Sequence, residues 1–396
     1  MPWRRRPFRD TDVSRALNIG HLREIASRSL PHFIFEYVEG GAEDEASLRH
    51  NREAFEAYRL IPSTLVDTTA RHHRTTLFGT EIKAPLIVAP TGMNGILRRD
   101  GDIMLARAAA AAGIPFCMST VSTVPIERLA AEAGGRLWMQ LYVMKNRKVA
   151  ESIIARAKAA GFEALVFTTD ANVFGYREWD RRNYLRPARP TFRNALGILR
   201  HPRWLYDVIL SHGMPEFVNF ADFLPPGAAS AIGGSTVIPT LFQPDITWDD
   251  IAWLRNHWDR KLLVKGVLNV PDAERAASLG CDGIILTNHG GRQLDYCVAP
   301  FEMLPEISAA VGNRMTVIVD SGFRRGTDVI KGLALGADAV MIGRATLYGL
   351  IAGGEPGVRR AIEILTMEID RALGQLGVRS IDELGPHLLK KSNGSG

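Results

Sequence analysis

A histidine and an arginine stand three residues apart in Thr287-Asn288-His289-Gly290-Gly291-Arg292, at the end of a short apolar run. An imidazole titrates near neutrality and can take or give a proton, and a guanidinium fork grips a carboxylate. Asp170 ends a second apolar run and is suited to orient the imidazole and stabilise it once charged. Lys265 ends a third, after Leu262-Leu263-Val264, where a buried ammonium needs an anion to meet it. Each residue alone has a plain structural reading, such as a salt-bridged lysine inside a fold. Taken together they read as base, orienter, carboxylate anchor and a cation that stabilises developing negative charge.

Two more segments suit a phosphate: Asp320-Ser321-Gly322-Phe323-Arg324-Arg325-Gly326 and Ile342-Gly343-Arg344. Glycine lets backbone N–H groups approach an anion, and arginine adds paired, charge-assisted hydrogen bonds. Many phosphate-binding proteins carry such a pattern, and a purely structural turn carries it too.

These residues must be positioned by elements. From residue 84 onward, short β-branched runs alternate with alanine-rich helical stretches, the pattern of repeated β-α units around a parallel sheet. Eight strands are expected, in Ala84–Pro90, Pro115–Thr120, Leu137–Val143, Ala164–Asp170, Leu262–Val267, Gly283–His289, Thr316–Gly322 and Ala339–Arg344. Between them, Asp102–Ala112, Ile126–Ala133, Arg147–Ala160, Asp272–Leu279 and Thr327–Leu335 read as helices. Polar residues cluster where the runs end, which favours an α/β fold of the (β/α)8 TIM barrel type over an open, doubly wound sheet. The whole chain, 1–396, reads as one domain with two elaborations. Residues 1–83, with helices expected at Leu17–Ser29, Pro31–Val38 and Ala46–Tyr58, read as a lid or plug across the barrel. Residues 178–246 form an insertion after the fourth strand, too long for an ordinary loop.

The composition, 46% hydrophobic and 23% charged, is that of a folded globular chain. A net charge of +5 suits anionic partners without choosing among them, and no nucleic-acid partner is expected. Three scattered cysteines, Cys117, Cys281 and Cys297, write neither a disulfide framework nor a metal site, and no metal is expected. The basic start, Met1 to Arg9, is not followed by an apolar run, and no stretch of about 20 apolar residues exists, so a cytoplasmic location is expected.

The order and spacing of Gly40-Gly41-Ala42-Glu43-Asp44-Glu45, Gln140-Leu141-Tyr142-Val143, Leu263-Val264-Lys265-Gly266, Asn288-His289-Gly290-Gly291-Arg292-Gln293-Leu294-Asp295 and Asp320-Ser321-Gly322-Phe323-Arg324-Arg325-Gly326 resemble the FMN-dependent 2-hydroxy acid dehydrogenase/oxidase family, over about residues 15 to 385. Within it, Pro90-Thr91-Gly92-Met93-Asn94-Gly95 and Gly113-Ile114-Pro115-Phe116 look most like the bacterial members that oxidise (S)-mandelate, and His201-Pro202-Arg203-Trp204 is similar to the quinone-linked L-lactate dehydrogenases.

The resemblance implies FMN as cofactor and an L-(S-)2-hydroxy acid as substrate. Tyr37, Arg177 and Arg292 would bind its carboxylate with Gly92 beside it, Tyr142 would hydrogen-bond its oxygen, and Asp170 would pair with the base His289. The backbone of Pro90, Thr91 and Gly92, with Ser119, Gln140, Thr168, Lys265 and Thr287, would meet the flavin ring and ribityl chain. Asp320, Gly322, Arg324, Gly343 and Arg344 would hold ribityl hydroxyls and phosphate. The departures are local: Thr287 stands for a usual Ser, Ser321 for a usual Gly, and Ala171–Phe174 lacks a usual Thr-Pro pair, leaving the loop to Arg177 free to differ.

Val38, Gly92 and Val121 are small where some relatives resembling short-chain oxidases carry aromatics, which favours an aromatic substrate, unless Phe174 and Tyr176 refill the space. Phe192–Ile209 mixes Arg193, Arg200 and Arg203 with apolar residues at helical spacing. It reads either as packing against the barrel or as an interfacial helix on anionic lipid at the cytoplasmic face of the membrane, giving access to a quinone acceptor. The resemblance also implies a homo-oligomer, commonly a tetramer. Oxidation of L-lactate, use of O2, and a flavin barrel doing non-redox isomerase work stay open as alternatives.

Overall fold

The computed structural model describes residues 8–184, 191–225, 227–230, 237–238 and 240–392. Eight parallel strands close into a barrel: β1 (Leu86–Val88), β2 (Phe116–Met118), β3 (Leu137–Leu141), β4 (Ala164–Thr168), β5 (Lys261–Lys265), β6 (Gly283–Leu286), β7 (Thr316–Val319) and β8 (Ala339–Ile342). Val340, Met341 and Ile342 of β8 pair with Leu86, Ile87 and Val88 of β1. That pairing removes both sheet edges and excludes the open doubly wound alternative.

Strand parity decides what faces the centre. Leu86, Val88, Phe116, Met118, Leu165, Phe167, Leu262, Val264, Ile284, Val317 and Val340 belong to the large core shared with the surrounding helices. Their neighbours Ile87, Cys117, Trp138, Val166, Leu263, Ile285, Ile318 and Met341 form a second core inside the barrel. Continuing the inward parity two residues past those positions reaches Ala89, Ser119, Gln140, Thr168, Lys265, Thr287, Asp320 and Gly343. The period-two pattern that builds the barrel thus delivers the polar set to its C-terminal mouth, where (β/α)8 enzymes gather their chemistry.

The opposite end is plugged. Thr75–Leu77 and Thr80–Ile82 pair as an antiparallel hairpin, and Leu77 and Ile82 join the interior core, with the Phe78 and Trp138 ring centres 5.8 Å apart and the rings tilted. The expected helix Ala46–Tyr58 is shorter than its pattern: it runs Ala46–Glu53, tightens to a 3-10 turn at Ala54–Ala57 and gives way to a strand, Tyr58–Leu60. The reason is a tertiary pairing with Leu389–Lys391, which ties the two ends of the chain together. Helix Ile19–Ser29 packs on the helix that follows β8, Arg344–Leu376, itself broken at Gly353-Gly354.

In the insertion, helix Phe192–Leu199 is followed by Pro202–Trp204 and a π-helical turn, Leu205–Leu210. Trp204 and Val208 are buried, and Trp204 Nε1 donates to the Ile96 carbonyl at 2.8 Å, so part of this segment packs on the barrel. Phe192, Leu199, Tyr206 and Leu210 are exposed. Among the described residues, no helix is long and apolar enough to cross a membrane. The insertion returns to the mouth where Lys145 N donates to Leu241 O and Gln243 N to Val143 O, bringing Phe242 over the barrel.

Candidate active site

His289 sits just past β6 in a left-handed conformation, φ +58°, held by a hydrogen bond from its backbone N–H to Thr287 Oγ1 at 3.0 Å. Two more left-handed residues follow, Gly290 and Gly291. At Gly291 a Cβ would lie 2.6 Å from the Leu48 nitrogen, so only glycine lets the N-terminal helix close on this turn.

The ring is fixed at both nitrogens: Nδ1 lies 2.9 Å from Asp170 Oδ1, and Nε2 lies 3.2 Å from the Tyr142 hydroxyl. Burial would raise the Asp170 carboxyl, but the adjacent His289 and Lys265 hold it below the usual carboxylate range. An ionised carboxylate only accepts, so Nδ1 carries the hydrogen and Nε2 keeps its lone pair, which accepts from the Tyr142 hydroxyl on the cavity wall. Burial lowers the His289 imidazole below its ordinary value of 6.5, although Asp170 works against it. Burial likewise pushes the Tyr142 hydroxyl upward, keeping it a neutral donor.

Lys265 Nζ is buried 3.9 Å from Asp170 Oδ2 and 4.0 Å from Asp320 Oδ2, beyond hydrogen-bonding reach of both. Asp170 Oδ2 is itself buried without a hydrogen-bond partner. Arg177, Arg292 and Lys265 line the same cavity. Arg177 Nε donates to the Arg292 carbonyl at 3.0 Å, and its guanidinium lies 4.2 Å from the Phe174 ring centre. Arg292 Nη1 donates to Gly40 O at 2.6 Å and lies over Tyr37, whose hydroxyl donates to Gly92 O at 3.3 Å. Burial, then Arg292, push the Arg177 guanidinium down to about 9.

One cavity of about 560 Å³ joins these groups. Of the residues expected in the site, Tyr37, Pro90, Thr91, Gly92, Ser119, Tyr142, Arg177, Lys265, His289, Arg292, Asp320, Gly322, Arg324, Gly343 and Arg344 line it. Four do not: Asp170 stands behind His289, Gln140 behind Ser119 (3.2 Å), Thr168 behind Gln140 (2.9 Å), and Thr287 behind Asp320 (3.0 Å). Arg344 donates to the carbonyls of Val38, Gly290 and Gly40, so none of its hydrogen-bond partners is a carboxylate.

A model of the FMN-dependent dehydrogenases matches residues 26–391. The chain belongs to that family. It is 43% identical to (S)-mandelate dehydrogenase of Pseudomonas putida over 94% of this chain and 93% of that one. It is 41% identical to a putative L-lactate dehydrogenase of Mycobacterium tuberculosis over 96% and 91% of the two chains. Among solved structures it superposes on the monotopic membrane protein (S)-mandelate dehydrogenase with a TM-score of 0.90 and 42% identity, covering 96% of this chain and all of that one.

The residues present fit the flavin of an FMN-dependent dehydrogenase. The cavity is of a size that encloses a cofactor, roughly 300–1,000 Å³. Lys265 offers it a buried ammonium with unspent hydrogen bonds, and burial pushes the Arg344 guanidinium down to about 10, a cost that a bound anion relieves.

Several cavity residues were not assigned to the site from the sequence, and three of them, Asp180, Phe242 and Ser321, shape its chemistry. Asp180 lies 3.9 Å from both Arg177 and Arg292. Its signal was present, since it stands three residues after Arg177 and so on the same helical face. Phe242 stacks on Tyr142 with ring centres 4.8 Å apart, an arrangement set by the return of the insertion. Ser321 Oγ accepts from the Gly290 N–H at 3.1 Å, and no local pattern announces that contact.

Proposed function

We propose that this FMN-dependent dehydrogenase oxidises an (S)-2-hydroxy acid, with (S)-mandelate giving benzoylformate, and passes the electrons to a membrane quinone. The observation that carries the reading is the sharing of one cavity by a directed imidazole, His289 Nε2, and two arginines, Arg177 and Arg292. Arg177 and Arg292, with Tyr37, hold the substrate carboxylate, and the neutral Tyr142 hydroxyl turns from His289 Nε2 to donate to the substrate oxygen, freeing the imidazole lone pair. His289 Nε2 takes one proton as two electrons leave the substrate, and Asp170 stabilises the imidazolium formed. FMN, when bound, supplies the two-electron acceptor. Lys265 would meet its ring and stabilise negative charge there, with Pro90, Thr91, Gly92 and Ser119 contributing to the same pocket, and Gln140, Thr168 and Thr287 brace the pocket wall from behind. Gly322, Arg324, Gly343 and Arg344 would hold the phosphate end, and Asp320 would take a ribityl hydroxyl. The same base serves whether the proton comes from the hydroxyl or from the α-carbon.

The aryl ring has room and partners. Val38 and Val121 line the cavity, and Phe174 and Phe242 stand 6.3 Å apart on its wall. Part of the space beside Gly92 is already filled, since a Cβ there would meet Val121 Cγ2 at 2.4 Å. Tyr176 is half exposed and outside the lining, so only Phe174 of the two feared obstructions borders the cavity. Burying a phenyl group is worth on the order of 1.5–3 kcal/mol. Stopped-flow flavin reduction should therefore favour (S)-mandelate over L-lactate by about 10- to 150-fold. Efficient reduction by lactate with mandelate inert would overturn the substrate and leave the reaction type standing.

The exposed Phe192, Leu199, Tyr206 and Leu210, flanked by exposed Arg193, Arg200 and Arg203, suit an anionic lipid surface. The monotopic membrane relative supports placing this face on a membrane; the reading puts it on the cytoplasmic side, with residues 1–396 as a single domain in a tetramer.

A further inference from the structure

Asp180 is a carboxylate where the reaction asks for none. It lies on helix Glu178–Tyr184, lines the cavity, and holds Oδ2 3.9 Å from Arg177 Nη1 and 3.9 Å from Arg292 Nη2. Those distances are too long for hydrogen bonds, and each arginine spends its short bond on a backbone carbonyl instead: Arg177 on Arg292 O and Arg292 on Gly40 O. Neither guanidinium therefore needs Asp180 for its position. What Asp180 supplies is charge.

We propose that Asp180 sets the carboxylate anchor to a net charge of +1, so that the site selects monocarboxylates over dicarboxylates and lets the keto acid leave. This rests on the reading of Arg177 and Arg292 as the carboxylate anchor. Two bare arginines would present +2, which a dianion matches best and which would hold a monoanionic product tightly. A fixed carboxylate equidistant from both cancels one unit without blocking either fork. The side chains of Arg177, Asp180 and Arg292 are 9%, 22% and 14% exposed, so water screens this balance only in part. Substrate and product are both monoanions and match the remaining charge.

The test is equilibrium titration of the FMN-loaded enzyme with phenylacetate, carrying one charge, and phenylmalonate, carrying two, followed by the change in flavin absorbance. Asp180→Asn keeps the shape and removes the charge. Phenylacetate should bind roughly tenfold tighter and phenylmalonate roughly a hundredfold tighter, because the electrostatic gain doubles with ligand charge. Asp180→Glu retains the charge and should keep the wild-type ratio of the two affinities. Equal gains for both ligands, weaker binding of both, or a Glu variant whose ratio moves as far as the Asn variant's each overturn the proposal. Arg292→Lys titrated with phenylacetate separates the underlying reading, since a lysine cannot reproduce the guanidinium fork. Undiminished affinity there discards the anchor itself. A loss there, together with weaker binding in Asp180→Asn, discards only the charge balance.

Discussion

Replacing His289 by alanine is expected to slow flavin reduction by about 10²–10⁴-fold while FMN stays bound, because a positioned base contributes on that order. Among the described residues, the imidazole is the one titratable group that lines the cavity with a lone pair directed by a fixed partner on its other nitrogen. The loss should fall on the rate of reduction at saturating substrate rather than on affinity, since the carboxylate is held by other residues. The pH dependence carries a sign. A base must be deprotonated to act, and burial holds His289 below 6.5, so the wild-type rate should climb with pH through a value below 6.5 and be flat above neutrality. A variant that reduces its flavin at near-normal rate in single turnover would remove His289 from the mechanism.

Asp170→Asn is expected to cost about 10²–10³-fold in the same step, the scale of losing one preorganised electrostatic partner in a water-poor site. Asp170 does not line the cavity, so the effect must pass through His289. Three things change together. The amide can offer its nitrogen to Nδ1 and permit the wrong tautomer, the charge that steadies the imidazolium disappears, and Lys265 loses a neighbouring carboxylate. The measured split identifies this positioning role: substrate affinity stays within a few-fold while the reduction rate falls. The acid limb of the pH profile should also shift further down, because the Asp170 charge is what opposes the effect of burial on His289. An unshifted limb with a normal rate would show that the pair is merely structural.

Much of this site was legible because one rule serves two purposes. The alternation that identifies β5 as a strand also states that Lys265 shares the inward face with Leu263, and the same holds for Asp320 behind Ile318 and Gly343 behind Met341. What stayed hidden depends on contacts between distant segments. Tyr58 leaves its helical pattern because Lys391 pairs with it across the whole chain. Phe242 reaches Tyr142 only because the insertion closes back on Lys145 and Val143. The depth of Gln140, Thr168 and Thr287, one layer behind the cavity, follows from side-chain hydrogen bonds that residue spacing does not encode. The segment Ile342-Gly343-Arg344 suggested a phosphate ligand in Arg344, and the carbonyls of Val38, Gly40 and Gly290 that it meets add a second role, a clamp on the N-terminal helices.

The most direct measurement mixes the purified, FMN-loaded enzyme with (S)-mandelate, L-lactate and glycolate in turn without oxygen and follows the visible flavin band. Rapid bleaching by an (S)-2-hydroxy acid, fastest with mandelate, is expected, with stoichiometric keto acid after one turnover. A flavin that keeps its colour with every hydroxy acid while the protein remains folded would contradict it, and would point to a flavin barrel whose work is not oxidation.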